Sequence, residues 1–428
     1  MKKLSKREWS WVSYDWGNSA FSIIITTAVF PIYYKAAATE AGIATVDSTA
    51  YLGYTISTFT FVLAMLAPIL GTIADYQGLK KQFFSFFFIL GVGSTALLAF
   101  VPNDSWLLLL ILYLFASIGS TGANVYYDAF LVDVTTRKRM NRVSASGYAM
   151  GYLGSAIPFF LSIAIILLGQ QGTLPISSSV ASKIAFGITA LWWASFSIPL
   201  LRLVKQRHGI ALEPSLVSQS FKRLGQTFKE IKQYRAVFLF LLAYFFYIDG
   251  VGTIISMSTA YGKDLGLGTS GLLLVLLMTQ VVAAPFAIVY GKLAERFKGK
   301  KMLYVGIVVY MIVCIYAIFL ETIVDFWILA MLVATSQGGI QALSRAYFAK
   351  IIPKNKSNEF FGFYNIFGKF ASITGPFLVG ITAQLTGNTS FGVFSLIILF
   401  IIGFILLLFV PETASHTANK NAQTEISA

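Results

Sequence analysis

Apolar residues run along the chain in long stretches, broken by short polar segments rich in lysine and arginine. A helix needs about 20 mostly apolar residues to cross the hydrocarbon core of a bilayer. Such stretches fall near 13–35, 50–74, 82–101, 105–131, 143–168, 181–203, 236–261, 270–294, 302–320, 326–350, 360–384 and 389–410. The pattern predicts twelve membrane-crossing helices. The first could pass for a signal peptide, since Lys2, Lys3, Lys6 and Arg7 precede it and three alanines follow at 36–38. Its run from Ser13 to Tyr34 is longer than a signal core and contains Asp15 and Asn18, so it reads as a retained helix.

Composition agrees with a membrane chain. Of 428 residues, 57% are hydrophobic and 12% charged, whereas a soluble domain carries about 25% charged residues. The net charge of +14 would suggest nucleic acid in a soluble chain. Here 27 of the 32 lysines and arginines fall on the side of both termini and three on the other. That asymmetry predicts cytoplasmic termini and accounts for the charge without nucleic acid. Cys314 is alone, and His208 and His416 are far apart, so no metal or other cofactor is expected.

The longest basic connection, 205–234, divides the chain. The expected organisation is a tail (1–12), a six-helix bundle (13–204), the connection, a second bundle (235–411) and a tail (412–428). Within the connection, Leu216, Val217, Phe221, Leu224, Phe228 and Ile231 recur at helical spacing opposite Lys222, Arg223, Lys229 and Lys232. An amphipathic helix lying on the membrane surface fits.

The two bundles repeat each other. GTIADYQGLKK at 71–81 returns as GKLAERFKGKK at 291–301, pairing Asp75 with Glu295 and both lysine pairs. A shift of 217 aligns Ser120, Asn124 and Asp128 of span 4 with Gln337, Gln341 and Arg345 of span 10. A shift of 234 aligns Asp15, Ser19 and Ser22 of span 1 with Asp249, Thr253 and Ser256 of span 7. Each trio lies on one helical face. A charge inside a bilayer faces a partner or a watery cavity, because lipid exposure costs at least ~2.5–3.5 kcal/mol. The stripes predict a central cavity, with Asn18, Asn124, Gln341, Arg345, Asn365 and Lys369 as its candidate polar lining. Asp249 and Lys369 are the deepest charges, whereas Asp15 sits only a few residues past the expected start of span 1. Asp128, Asp133 and Arg142 also align with Arg345, Lys350 and Glu359, each of opposite charge. These six are expected to form gate networks bridging the halves.

Twelve spans in two repeated halves, with G-x-x-x-D-x-x-G-x-K-K after span 2, resemble the major facilitator superfamily. Within it, YDWGNSAF at 14–21, Asp249-Gly250, QALSR at 341–345 and EFFGFY…GKF…GP from Glu359 to Pro376 resemble the vacuole-effluxer family, whose fungal members are implicated in amino-acid export from vacuoles. The resemblance implies an all-helical fold of two pseudo-symmetric six-helix bundles. It also implies that Asp75 holds the 2–3 loop against the cytoplasmic end of span 11. The superfamily's arginine after that aspartate is Tyr76 here, and the second copy keeps Glu295-Arg296, so the latch is expected to rest more on the 8–9 loop. Asp75, Glu295 and Arg296 are thus gating candidates.

The expected function is secondary transport of a small polar solute, an amino acid or related metabolite, by a monomer in the cell membrane rather than a vacuolar one. No Walker loop is present, so ATP is not the direct source of energy. If transport is proton-coupled, Asp249 is the first candidate carrier and Asp15 the second. A drug/proton antiporter of the same fold is the nearest alternative, although Gly147, Gly151, Gly154 and a displaced Pro158 give only part of its usual span-5 pattern. A non-transporting receptor or scaffold leaves the polar stripes unexplained, and no catalytic constellation suggests an enzyme.

Overall fold

The computed structural model describes residues 3–211, 216–229, 234–264, 269–370, 374–387 and 389–411, and leaves some side chains within them undescribed. The first half comprises α1 (Lys6–Glu40), α2 (Thr45–Ala74), α3 (Leu79–Leu98), α4 (Trp106–Ala129), α5 (Met140–Gln170) and α6 (Ser178–Leu203). A strap helix, Leu216–Lys229, precedes α7 (Arg235–Asp264), α8 (Thr269–Phe297), α9 (Gly299–Tyr316) and α10 (Ile323–Ile351). The eleventh element appears as α11a (Ser357–Phe370) and α11b (Thr374–Thr386), and α12 as Thr389–Ser395 followed by Ile397–Leu408. Eleven described helices are long and apolar enough to cross a membrane. The predicted crossing at 360–384 is shared by α11a and α11b, each too short alone, on either side of undescribed residues.

The outer faces stay apolar, with Phe86, Ile89, Leu191 and Leu385 exposed as a lipid-facing surface requires. Inside each half the helices approach through small residues. Gly119 of α4 lies directly against the backbone of Gly91 in α3, which lets two helices pack without side chains between them. One turn after the prolines inside α2 and α5, the hydroxyls of Thr72 and Ser162 donate back to the carbonyls of Pro68 (2.8 Å) and Pro158 (2.7 Å), which satisfies both hydroxyls within the helix.

Helix α1 begins earlier than its apolar run. Ser5 and Glu8 form a capping box, the Ser5 amide donating to Glu8 Oε2 at 2.7 Å and the Glu8 amide to Ser5 Oγ at 3.3 Å. This start at Lys6 places Asp15 well inside the helix, not near its mouth, correcting the sequence expectation. The α2–α3 turn passes through Gly78 at φ +85°, and its repeat in the α8–α9 turn through Lys298 at φ +69°. The repeat therefore extends to a positive-φ turn position, left-handed helical at Gly78 and with a different ψ at Lys298.

The halves meet at the lysine- and arginine-rich end. There α2 packs on α11a, and α5 packs on both α8 and α10. The strap helix lies against α2.

Gly119→Ala forces α3 and α4 apart and should cost about 1–3 kcal/mol, read as a lower unfolding midpoint in detergent. Gly93→Ala in α3, where an added Cβ meets nothing within 4 Å, should leave the midpoint unchanged or higher.

Candidate functional site

Arg345 of α10 crosses from the second half into the first. Its Nη1 donates to Asp128 Oδ1 in α4 at 3.0 Å, and its Nη2 to Asp15 Oδ2 in α1 at 3.2 Å. In α5, Ser144 accepts from Nε through its hydroxyl at 2.9 Å and from Nη2 through its carbonyl at 3.1 Å. The guanidinium lies over the rings of Tyr148 (4.4 Å), Trp11 (4.6 Å) and Tyr127 (5.4 Å). Those rings are positioned in turn: Trp11 Nε1 donates to the Tyr127 carbonyl at 2.8 Å, and the Tyr127 hydroxyl to Asp15 Oδ2 at 2.6 Å. Gly147 faces Asp15 and Arg345 so closely that any Cβ would collide with them. The sequence reading met this glycine only as part of a span-5 pattern, and the structure shows that it makes room for the ion pair.

The node is almost dry, with the Arg345 side chain 3% exposed, Asp15 14% and Asp128 13%. Removing one partner from such a buried network costs about 3–5 kcal/mol. Two carboxylates facing one guanidinium leave one negative charge without a matching cation. One turn deeper, Asn18 Nδ2 donates to Asn124 Oδ1 at 3.0 Å and the Ser120 hydroxyl to Asn18 Oδ1 at 3.4 Å. A polar column therefore continues inward from the charge node.

A second junction joins α2 to α11a. The Asp75 carboxylate sits at the start of α11a, accepting from the backbone amides of Asn358 (2.9 Å) and Glu359 (3.1 Å) and from Asn358 Nδ2 (2.8 Å). A helix N-terminus favours an anion there. Lys80 is fully buried, with Nζ 2.7 Å from Asp133 Oδ2 and 3.0 Å from the Ser357 hydroxyl. The segment after α6 adds to this junction. Its Ile210 pairs backbone to backbone with Asp75 and Gln77 at 2.9 Å each, and Gln206 Oε1 accepts from the Gly78 amide at 2.9 Å.

Tyr76 occupies the position of the superfamily's arginine, and Arg223 of the strap helix lies over its ring at 5.3 Å. The strap thus brings Arg223 against the first half, while Phe221, Lys222 and Lys229 stay exposed and Leu224 is partly buried. A flat aromatic face at Tyr76 offers a cation a site that lipid does not. The predicted Leu216, Val217 and Phe228 side chains, and residues Ile231 and Lys232, lie outside the described residues.

Of the three opposite-charge pairs read from the repeat, Asp128 and Arg345 meet directly. Asp133 instead meets Lys80 and His208. Lys350 Nζ donates to Asn141 Oδ1 at 2.6 Å, and Arg142 is half-buried without an ion pair to Glu359. Glu359 is fully buried, and among the described residues its carboxylate oxygens form no hydrogen bond of ordinary geometry, with Thr227 and Arg223 of the strap and Lys356 nearby. Glu295 and Arg296 are exposed. The expectation that the latch shifts to the 8–9 loop is therefore corrected: the carboxylate contacts belong to Asp75, and the α8–α9 side is joined through Asn141, whose Nδ2 donates to the Ala294 carbonyl at 3.2 Å.

Asp249 is buried in α7 and accepts from the Gly375 amide with both oxygens (3.0 and 2.9 Å) and from Thr253 Oγ1 (3.3 Å). It ties α7 to the start of α11b within the second half. Asn365 Nδ2 donates to the Phe361 carbonyl at 3.0 Å, and Gln341 is half-buried. The Lys369 side chain lies outside the described residues. A cavity of about 420 Å³ lies elsewhere, between α1, α5 and α6; it is lined mainly by apolar groups such as Ile32 and Phe159, and includes Tyr33 and Glu40. None of the six predicted lining residues borders it. Trp11, Tyr127, Ser144 and Tyr148 were not singled out from sequence. Their signal is the four-residue spacing of Trp11 with Asp15 and of Ser144 with Tyr148.

A family model described as vacuole effluxer Atg22 like matches residues 4–135 and 132–420. The chain belongs to this family. It is 68% identical over 420 residues to the uncharacterized MFS-type transporter YxiO of Bacillus subtilis (strain 168), covering 98% of each chain. It is 25% identical over 305 residues to autophagy-related protein 22 of Cryptococcus neoformans var. neoformans serotype D (strain JEC21), covering 66% of this chain and 51% of that one. The chain thus spans about half the length of that fungal relative. Among solved structures, the major facilitator superfamily proton:xylose symporter XylE superposes with a TM-score of 0.66 at 12% identity, over 98% of this chain and 97% of that one. The fold is the major facilitator fold, and the protein is a multi-pass membrane transporter for a small-molecule substrate.

Asp75 lies outside the membrane-spanning segments. Burial pushes its carboxyl from 3.8 up to about 7, against the pull of Lys80 and the amides of Asn358 and Glu359. A carboxyl raised on folding binds its proton more readily in the folded chain, so its contribution to stability rises as pH falls from about 7 towards its unfolded value. The unfolding midpoint should therefore rise on acidification from about pH 8 to about pH 5 by less in Asp75→Asn than in the parent; equal rises would refute this linkage.

Proposed function

We propose that this transporter moves a small polar solute, an amino acid or related metabolite, by rocking residues 13–204 against 235–411. The observation that carries the reading is the Arg345 node, where a guanidinium of the second half is held by two carboxylates of the first. In this structure the node, the Asp75 junction and the Asn141 contacts hold the halves together at the basic end, read as cytoplasmic in a cell-membrane protein. Opening that end separates Arg345 from Asp15 and Asp128, which requires replacement partners on both sides. Water and a substrate carboxylate supply them for the guanidinium. A proton supplies one for the carboxylates.

The surplus negative charge at the node makes Asp15, with Asp128 beside it, the site where a proton changes the contact between the halves. Asp249 retains its place as a second candidate, acting on the α7–α11b junction. One proton moving down 100 mV releases about 2.3 kcal/mol, enough for a gradient of some tens-fold in a neutral solute. Asn18, Asn124, Gln341 and Asn365 supply hydrogen bonds along the path, and the chain works as a monomer. A second reading, export of an amphipathic drug-like solute, is favoured by the apolar 420 Å³ cavity between α1, α5 and α6, a volume suited to such ligands.

Counterflow of labelled amino acids in proteoliposomes tests the proposal. Exchange should be abolished in Arg345→Ala and fall about tenfold or more in Arg345→Lys, since an ammonium cannot span both carboxylates. Absence of exchange for every amino acid, with exchange of lipophilic cations instead, would favour the second reading.

In Asp15→Asn, exchange without a pH gradient should persist while accumulation driven by a pH gradient is lost. Retained pH-driven accumulation in Asp15→Asn, with its loss in Asp249→Asn, would transfer the proton-carrying role to Asp249.

A further inference from the structure

A second recess, of about 390 Å³, opens at the basic end, away from the Arg345 node. Three parts of the chain form it: the first half contributes Glu8, Asp133, Arg137 and Arg139, the segment after α6 contributes Arg207 and His208, and the α10–α11a connection contributes Lys354. Its two carboxylates are already occupied. Glu8 accepts from the Ser5 amide, the Thr135 hydroxyl and Arg139 Nη2, at 2.7 Å each. Asp133 accepts from buried Lys80 and from the backbone amides of Arg207 (2.8 Å) and His208 (2.9 Å).

The cations are not matched in the same way. Arg139 Nε is buried with no hydrogen-bond partner among the described residues. Arg137 uses one Nη2 bond to the Lys350 carbonyl at 2.6 Å and keeps its remaining donors. Arg207 and Lys354 are exposed, and neither forms an ion pair among the described residues. Four Arg and Lys side chains thus converge on a recess whose acceptors are taken. A donor-rich, acceptor-poor recess complements an oxyanion, and guanidinium forks suit phosphate oxygens best.

We propose that this recess binds a phosphate group carrying net negative charge. Two sources share that chemistry, the headgroup of an anionic phospholipid and a free phosphate; basic pockets near the ends of membrane helices suit the first. Because its cations come from the first half, the connection and the second half, bound phosphate draws the basic end together and favours the latched state.

Full-length protein in neutral detergent provides the test. One arm follows retention of phosphatidylglycerol by native mass spectrometry, with phosphatidylcholine, whose choline cancels the phosphate charge, as control. The other follows the unfolding midpoint with added inorganic phosphate against chloride at equal ionic strength. Arg207→Ala with Lys354→Ala should weaken binding roughly tenfold or more in whichever arm shows it. Lys292→Ala with Lys301→Ala, an equal loss of exposed charge on the helices flanking the α8–α9 turn, should leave it unchanged. Loss confined to the phosphatidylglycerol arm assigns a lipid headgroup, and loss confined to the phosphate arm a free phosphate. Binding in neither arm, or equal effects of the two double variants, overturns the proposal.

Discussion

A guanidinium buried where two bundles separate constrains everything around it. Arg345 belongs to the second half, yet its carboxylate partners and its aromatic walls belong to the first. A lone charge could not be held there, because desolvation would exceed any gain from packing. Three helices of the first half therefore each give up apolar surface to satisfy it: α1 with Asp15, α4 with Asp128, and α5 with Ser144 and a glycine at 147. The close fit of α1 on α5 and of α5 on α10 follows from the need to surround this charge. A pair satisfied only when two bodies touch reports whether they touch, which is what a transporter requires of a gate.

The outer junctions join the same two halves with weaker groups. Asp75 meets a helix N-terminus, not a side-chain cation, so two of its three contacts are backbone amides that cannot swing away with a rotamer, the third being Asn358 Nδ2. Separating α2 from α11a must expose those amides. The chain between the halves is built into this junction through Ile210, Gln206 and the Arg223–Tyr76 contact. A linker joined in this way is part of the junction between α2 and α11a and not merely a tether. The absence of arginine after Asp75 thus acquires a physical reading, since the positive charge reaches Tyr76 from the strap.

Much of the fold was legible in the sequence because lipid enforces one rule everywhere: long apolar helices with charges kept to the ends or to partners. The repeat at 71–81 and 291–301 reached even to the turn position shared by Gly78 and Lys298. The site was legible as a set of buried polar residues but only partly as pairs. Asp128 aligned with Arg345 and meets it; Asp133 aligned with Lys350 and finds Lys80 instead. Repeat symmetry places residues at matching depths, whereas pairing depends on which cation arrives from a neighbouring turn. The capping box of Ser5 and Glu8 lay in plain view, yet an apolar-run criterion starts a helix where hydrophobicity starts. That choice made Asp15 look shallow. The inward turn of Arg223 was hidden for a related reason, since an amphipathic pattern does not say which single cation of the polar face finds a protein partner.

The same symmetry sharpens the comparison between Asp15 and Asp249. They occupy equivalent positions in the repeat, and each accepts hydrogen bonds inside the bilayer region, but their partners differ in kind. Asp249 binds an amide of α11b, which belongs to its own half. A change in its charge alters how one bundle holds its eleventh element and leaves the interface between bundles untouched. Asp15 binds a guanidinium carried by the other half, with Tyr127 and Trp11 fixing its direction. Neutralising Asp15 leaves Arg345 with one carboxylate and the node without surplus charge, so the balance of contacts across the interface changes directly. Coupling between an ion and the rocking of two bodies requires a group whose charge affects one arrangement of those bodies more than the other. Depth alone pointed to Asp249, but the ownership of the partner favours Asp15.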